Sequence, residues 1–148
     1  MELYRLTRRP HADLTGAGGL HVTGRWHAHR APIVYTSSSR ALALLEALVH
    51  LSLAFEELPD DYVFQRIVAD TDSLETIGIA DIKAGGCAAD SAAYGSAWLS
   101  SARTALLRVP SVVLPQESNI LVNPIHADVA TFSCEIESGV HWDRRLFG

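Results

Sequence analysis

Apolar and polar side chains alternate along Leu3–Thr7 and again along Tyr62–Ala69. That two-residue period is the mark of a half-buried strand. Pro32–Thr36 is a short apolar run ending in Ser37-Ser38-Ser39. It reads as a strand followed by a helix start, because a serine oxygen accepts an orphan N–H of the first turn. From Arg40 to Phe55 nearly every position is apolar, which predicts a helix buried on all sides. Pro59-Asp60-Asp61 breaks that pattern. The stretch from Asp70 to Asp90, with Gly85-Gly86, reads as loop. Ser91–Ala105 predicts a second helix, with Gly95 as its weak point. Leu106–Val109 and Val112–Leu114 read as strands flanking Pro110-Ser111, and Asn119–Val122 and Val129–Ile136 as two more. The sum is an α+β protein, and periodicity by itself does not choose among α+β folds.

Against that pattern a few residues stand out. Glu46 is a carboxylate among Leu42, Ala43, Leu45, Ala47, Val49 and Leu53. An unpartnered buried carboxylate costs several kcal/mol, so it needs a reason to be there. The structural reason would be a pair with an arginine, or with His50 one turn on. The functional reason would be an acidic group lining a pocket. Arg25 sits between Gly24 and Trp26. Its guanidinium offers a planar fork of donors suited to phosphate or carboxylate. The plainer alternative is a surface arginine stacked on Trp26, itself a residue type found more often in cores. Tyr35 ends a strand, where a ring commonly packs inside with its hydroxyl at the rim. Ser111 lies in no G-x-S-x-G elbow and has no evident His and Asp companions, so a nucleophile is not indicated. Asn119 and Asn123 suit loop organisation, since Asn side chains bond nearby backbone. His21, His27 and His29 lack Cys or carboxylate at a supporting spacing, so no metal site is expected. Gly16, Gly18 and Gly19 make a flexible loop that lacks the P-loop lysine and the dinucleotide-fold spacing.

Composition narrows the class. The chain has 148 residues, 48% of them hydrophobic, which suits one domain around one core over residues 1–148. Net charge is −5, and there is no basic stripe, so direct nucleic-acid binding is not expected. The apolar run around Ala41–Phe55 is too short to span a bilayer, and the N-terminus lacks a signal-peptide layout. Cys87 and Cys134 are far apart with no C-x-x-C spacing, as in a reduced cytoplasmic protein.

Three stretches, in order, carry a resemblance. They are Gly24-Arg25-Trp26 leading to Pro32-Ile33-Val34-Tyr35-Thr36; Ala41-Leu42-Ala43-Leu44-Leu45-Glu46; and Val109-Pro110-Ser111 continued through Glu117, Asn119, Ile120, Leu121, Val122, Asn123, Pro124 and His126. The series resembles the RES domain family, the toxin half of bacterial toxin–antitoxin pairs, named for an Arg, a Glu and a Ser. Here these are Arg25, Glu46 and Ser111. The resemblance runs from Leu3-Tyr4-Arg5-Leu6 to Asp143-Arg144-Arg145-Leu146. It implies an ADP-ribosyltransferase-like split, mostly antiparallel β-sheet with flanking helices. It implies an enzyme that degrades NAD by cleaving the nicotinamide–ribose bond, by hydrolysis or phosphorolysis. An ADP-ribosyltransferase acting on a cellular target and a non-catalytic nucleotide-binding module are the alternatives. NAD would be substrate rather than cofactor, with inorganic phosphate as a candidate co-substrate. Glu46, Arg25 and Ser111 would be catalytic, Ser111 by hydrogen-bonding the ligand or by positioning Glu46. Arg25, Tyr35, Trp26, His27, Ser111 and Asn119 would contact substrate. The family usually has Asn where this chain has His27. A helix-turn-helix antitoxin of the Xre type is the implied partner, covering the pocket; self-association stays open.

Overall fold

A computed structural model of the chain describes residues 1–28, 30–78, 80–81 and 88–148. His29, Gly85, Gly86 and Cys87, singled out in the sequence, lie outside the described residues. Seven strands form one sheet: β1 (Glu2–Arg8), β2 (Val34–Ser37), β3 (Tyr62–Val68), β4 (Leu74–Thr76), β5 (Leu106–Pro110), β6 (Ser118–Val122) and β7 (Ser133–Glu137). Their spatial order is β4-β5-β6-β2-β1-β3-β7. Every pairing is antiparallel except β4 with β5. The described residues contain two α-helices, α1 (Arg40–His50) and α2 (Ala88–Ser101). The α+β fold with a mostly antiparallel sheet is the architecture expected from the resemblance.

The strand register sorts the core into two layers. Val34, Leu106, Ile120 and Val122 point to one face and cluster with Leu3, Ile67 and Val129. Leu107, Val109 and Leu121 point to the other and pack on Trp26, Trp98 and Leu99. Asn119, two residues before Leu121, shares this second face. So α1, which reaches Asn119, and α2, which supplies Trp98, cover the same side.

Helix α1 starts where its serine predicts: Ser39 Oγ accepts the Leu42 N–H at 3.1 Å. Arg40 then pairs with Glu137 of β7, Nε to Oε2 at 2.7 Å, and lies over the Tyr4 ring. The helix is shorter and less buried than its composition predicts. It ends at His50, and only Leu42 and Ala43 are buried, while Val49 and Leu53 are exposed. Tertiary packing overrides propensity here. Leu51 turns to an extended conformation, and Phe55 enters a 3-10 turn, its ring edge-on to Phe147 at 5.7 Å. Phe147 meets Trp142, which meets Tyr62, so this aromatic chain pulls residues after His50 toward the C-terminal segment.

Two other expectations change. Val112–Leu114 is not a strand but part of a loop, because the Ser111 hydroxyl takes the Leu114 N–H at 3.0 Å and the Ser111 N–H bonds the Glu117 carbonyl. Val129–Ile136 splits into a 3-10 turn (Ala127–Thr131) and β7, the turn being capped where His126 Nδ1 accepts the Asp128 N–H. The segment read as loop after Asp70 holds the short parallel strand β4. The glycine-rich loop is stitched to the chain before β2, with the carbonyls of Gly16 and Gly19 accepting the N–H groups of Ile33 and Ala31.

Gly95 is a packing requirement rather than a weak point. A Cβ there would stand 1.8 Å from the Trp26 carbonyl oxygen, so α2 touches the backbone beside Arg25 only because the side chain is missing. Alanine in place of an interior helical glycine ordinarily stabilises by about 1 kcal/mol. Here the sign reverses: Gly95→Ala should lower unfolding free energy by about 1–3 kcal/mol, the range for overpacking. Urea denaturation of the two proteins measures it, and a more stable Gly95→Ala protein would contradict the packing described.

Candidate active site

Strands β1 and β2 are neighbours but share a single residue pair, Tyr4 with Ser37. By contrast β1 pairs with β3 along its whole length, from Glu2 opposite Val68 to Arg8 opposite Tyr62. A cavity of about 800 Å³ opens where β1 and β2 part, lined by Tyr4, Arg5 and Leu6 on one side and Tyr35, Thr36 and Ser37 on the other. Its volume falls in the range of small-molecule sites, about 300–1,000 Å³. Glu46 from α1, Asn119 from β6 and Arg25 from the loop before β2 also line it.

Glu46 is half-buried, and its partner is neither an arginine nor His50. Its Oε1 accepts the Ser111 hydroxyl at 2.6 Å and the Asn119 Nδ2 amide at 2.6 Å. Both donors are themselves fixed. Ser111 Oγ accepts the Leu114 N–H, and Asn119 Oδ1 accepts the Ser37 hydroxyl at 2.8 Å. Two donors on one oxygen hold the carboxylate against rotation. The other oxygen, Oε2, has no hydrogen bond to any described residue. One half of the carboxylate is thus locked and the other is left for a ligand.

Gly24 and His27 form an isolated antiparallel bridge, the Gly24 N–H bonding the His27 carbonyl at 3.1 Å. Arg25 and Trp26 are the tip of this tight turn. Trp26 folds back into the core at 3% exposure. Arg25 stays exposed and forms no ion pair among the described residues, unlike Arg40, Arg66 or Arg103. Tyr35 sits beneath the turn, half-buried, its hydroxyl accepting the Trp26 N–H at 3.2 Å and meeting His27 Nδ1 at 2.8 Å. His27 is 2% exposed, and its Nε2 lies 2.8 Å from the Val22 carbonyl oxygen. Both ring nitrogens are therefore occupied, and the ring is not available to a metal ion.

The cavity thus gathers Arg25, Trp26, His27, Tyr35, Glu46 and Asn119, with Ser111 immediately behind Glu46. Asn123, in contrast, sits in the core and bonds the Leu99 carbonyl at 3.0 Å. Sequence reasoning missed Ser37, which was read only as one of three capping serines; Ser39 is the cap. It also missed Arg5, whose Nη1 bonds the His11 carbonyl at 3.1 Å at the cavity edge. Its strand also carries Glu2, Thr7 and Arg8, so nothing in the alternating pattern set Arg5 apart.

A split, mostly antiparallel sheet whose cavity is lined by a fixed carboxylate and an exposed guanidinium is of the ADP-ribosyltransferase-like type. The RES domain profile matches residues 2–145, and the chain belongs to the RES domain family. It is 43% identical over 125 residues to the Prs ADP-ribosylating toxin of Sphingobium sp. strain YBL2, covering 78% of this chain and 75% of that one. It is 34% identical over 149 residues to Toxin Res of Pseudomonas putida KT2440, covering 99% and 100%. A chain of the crystallised M. tuberculosis MbcT–MbcA toxin–antitoxin complex has the same fold, with TM-score 0.68, 17% identity and coverage of 90% and 80%.

Burial pushes the Tyr35 phenol up to about 12, against the smaller opposing effects of the Trp26 N–H and the nearby Arg25. An ordinary tyrosine ionises near pH 10. The neutral phenol is the folded form, so the stability it contributes is fully present below about pH 10 and is lost as pH rises through about 12. A difference absorbance titration of the parent against Tyr35→Phe should show a phenol ionising near 12. A difference signal centred near 10 would contradict the buried environment.

Proposed function

We propose that this protein consumes NAD by breaking the bond between nicotinamide and ribose, and that this arrests growth. The observation that carries the reading is the half-locked carboxylate of Glu46 at the mouth of the split sheet. The nicotinamide ring is cationic in NAD. When the C1′–N bond breaks, its electron pair goes to the ring nitrogen and nicotinamide departs neutral, so little acid catalysis is needed. The ribose left behind gains oxocarbenium character. A preorganised anion whose orientation is already fixed stabilises that charge without reorganising. Glu46 is that anion; Ser111 and Asn119 hold it. Arg25 binds the pyrophosphate, and the Tyr35 ring stacks on nicotinamide.

The acceptor decides the product. Water gives ADP-ribose and a proton; inorganic phosphate gives the phosphorylated sugar. A second reading, transfer of ADP-ribose to a cellular target, is favoured by the name of the Sphingobium relative, and uses the same bond cleavage. Incubating pure protein with NAD, with and without phosphate, and identifying the products separates these. In cells, NAD should fall before growth stops if water or phosphate accepts the sugar, because each turnover removes one molecule. Arrest with a flat NAD pool would favour the transferase reading, and no NAD loss in either setting would overturn the proposal.

An antitoxin of the Xre helix-turn-helix type is the proposed partner. The fold relative was solved within a toxin–antitoxin complex. The exposed Val22, Val49 and Val112 around the cavity supply an apolar rim for a covering segment. No helix among the described residues is long and apolar enough to cross a membrane.

Arg25→Lys keeps the charge but loses the planar fork. It should raise the KM for NAD by about tenfold or more, as for losing a charged hydrogen bond. Steady-state kinetics measure it, and parental KM would remove Arg25 from the phosphate site.

A further inference from the structure

We infer that His27 is a positioning residue for Arg25, acting through the Tyr35 hydroxyl. This rests on the proposed role of Arg25 as the pyrophosphate ligand. A carbonyl oxygen only accepts, so His27 Nε2, 2.8 Å from the Val22 carbonyl, carries the hydrogen. In the neutral ring Nδ1 is then an acceptor, and the Tyr35 hydroxyl at 2.8 Å donates to it. The hydroxyl's oxygen is left to accept the Trp26 N–H at 3.2 Å. The chain of donors runs one way, from the Trp26 amide to Tyr35, from Tyr35 to His27, and from His27 to Val22.

That chain fastens the residues around Arg25. Trp26, next to it, is held by its amide and by its buried indole. Gly24, on the other side, is held by its N–H on the His27 carbonyl. The fit is close enough that a Cβ on Gly24 would stand 2.7 Å from the Tyr35 hydroxyl and 2.9 Å from His27 Cε1. Only the Arg25 side chain leaves the turn, toward the cavity. A long, flexible guanidinium binds tightly when its base is immobile, because less freedom is lost on binding. The two ring nitrogens of histidine face opposite ways, which lets one residue join Val22 of the loop to Tyr35. A shorter amide would keep one bond or the other.

The test uses His27→Gln, which keeps a donor near the Val22 carbonyl and loses the contact with Tyr35, Tyr35→Phe, which keeps the ring and loses the hydroxyl, and the double variant. Two readouts are taken: NAD kinetics, and hydrogen exchange of the Trp26 amide with Leu121 in the central sheet as reference. Each single variant should raise KM for NAD about tenfold, the loss of one positioned hydrogen bond, with kcat within about twofold. The double variant should be no worse than either single one, since both cut one chain. Trp26 exchange should quicken about tenfold or more in all three, while Leu121 keeps its protection. Parental KM in His27→Gln, additive losses in the double variant, or a Trp26 amide as protected as in the parent would each overturn the inference. If the parent protein does not consume NAD, the proposed function fails, and amide exchange alone still decides the brace.

Discussion

The site exists because two neighbouring strands in the middle of a sheet barely pair. Tyr4 opposite Ser37 is the one residue pair between β1 and β2. On either side of it lie well-paired blocks, β4-β5-β6-β2 and β1-β3-β7. Backbone N–H and C=O groups freed by such a split need other partners or solvent. Here the gap becomes the cavity. Residues 35–37 and 4–6 form its two walls, and both blocks keep those walls rigid from behind.

Helix α1 bridges the split and so determines what faces it. Its first turn is tied to the β7 side by Arg40 on Glu137 and on the Tyr4 ring. Its middle is tied to the β6 side by Glu46 on Ser111 and Asn119. A helix anchored at both blocks presents one carboxylate at a fixed height over the gap. The cost of half-burying that carboxylate is offset by two charge-assisted hydrogen bonds, each stronger than its neutral counterpart. The same bonds that make Glu46 tolerable in the fold also orient it, so stability and chemistry are served by one arrangement.

Elements set by local chemistry were legible in the sequence: the alternating strands β1 and β3, and the start of α1 at Ser39. Elements set by distant contacts were not. The end of α1 depends on Phe55 meeting Phe147, and the loop after Ser111 depends on a hydroxyl that competes with the strand ladder. The site divides in the same way. Arg25, Glu46 and Ser111 were singled out as odd residues in their segments and matched a family pattern. Ser111 holding Glu46 was one of the two roles the resemblance implied for it, but the bonds that run on from Glu46 were not visible. Ser37 to Asn119 spans 82 positions, and Asn119 to Glu46 spans 73. The resemblance implied a substrate contact for His27; in the structure its ring bonds Tyr35 and Val22 at the cavity wall. Register and direction, which one sequence does not reveal, separate residues that face the cavity from residues that hold them.

The central claim is that the negative charge of Glu46, rather than its shape, drives bond cleavage. Glu46→Gln tests it with least disturbance, because the amide oxygen still accepts from both Ser111 and Asn119. Calorimetric binding of NAD should stay within a few-fold of the parent. Turnover of NAD by the same folded preparation should fall by about a hundredfold or more, the usual consequence of removing a preorganised electrostatic group. A folded Glu46→Gln protein that turns over NAD at near the parental rate would contradict the account.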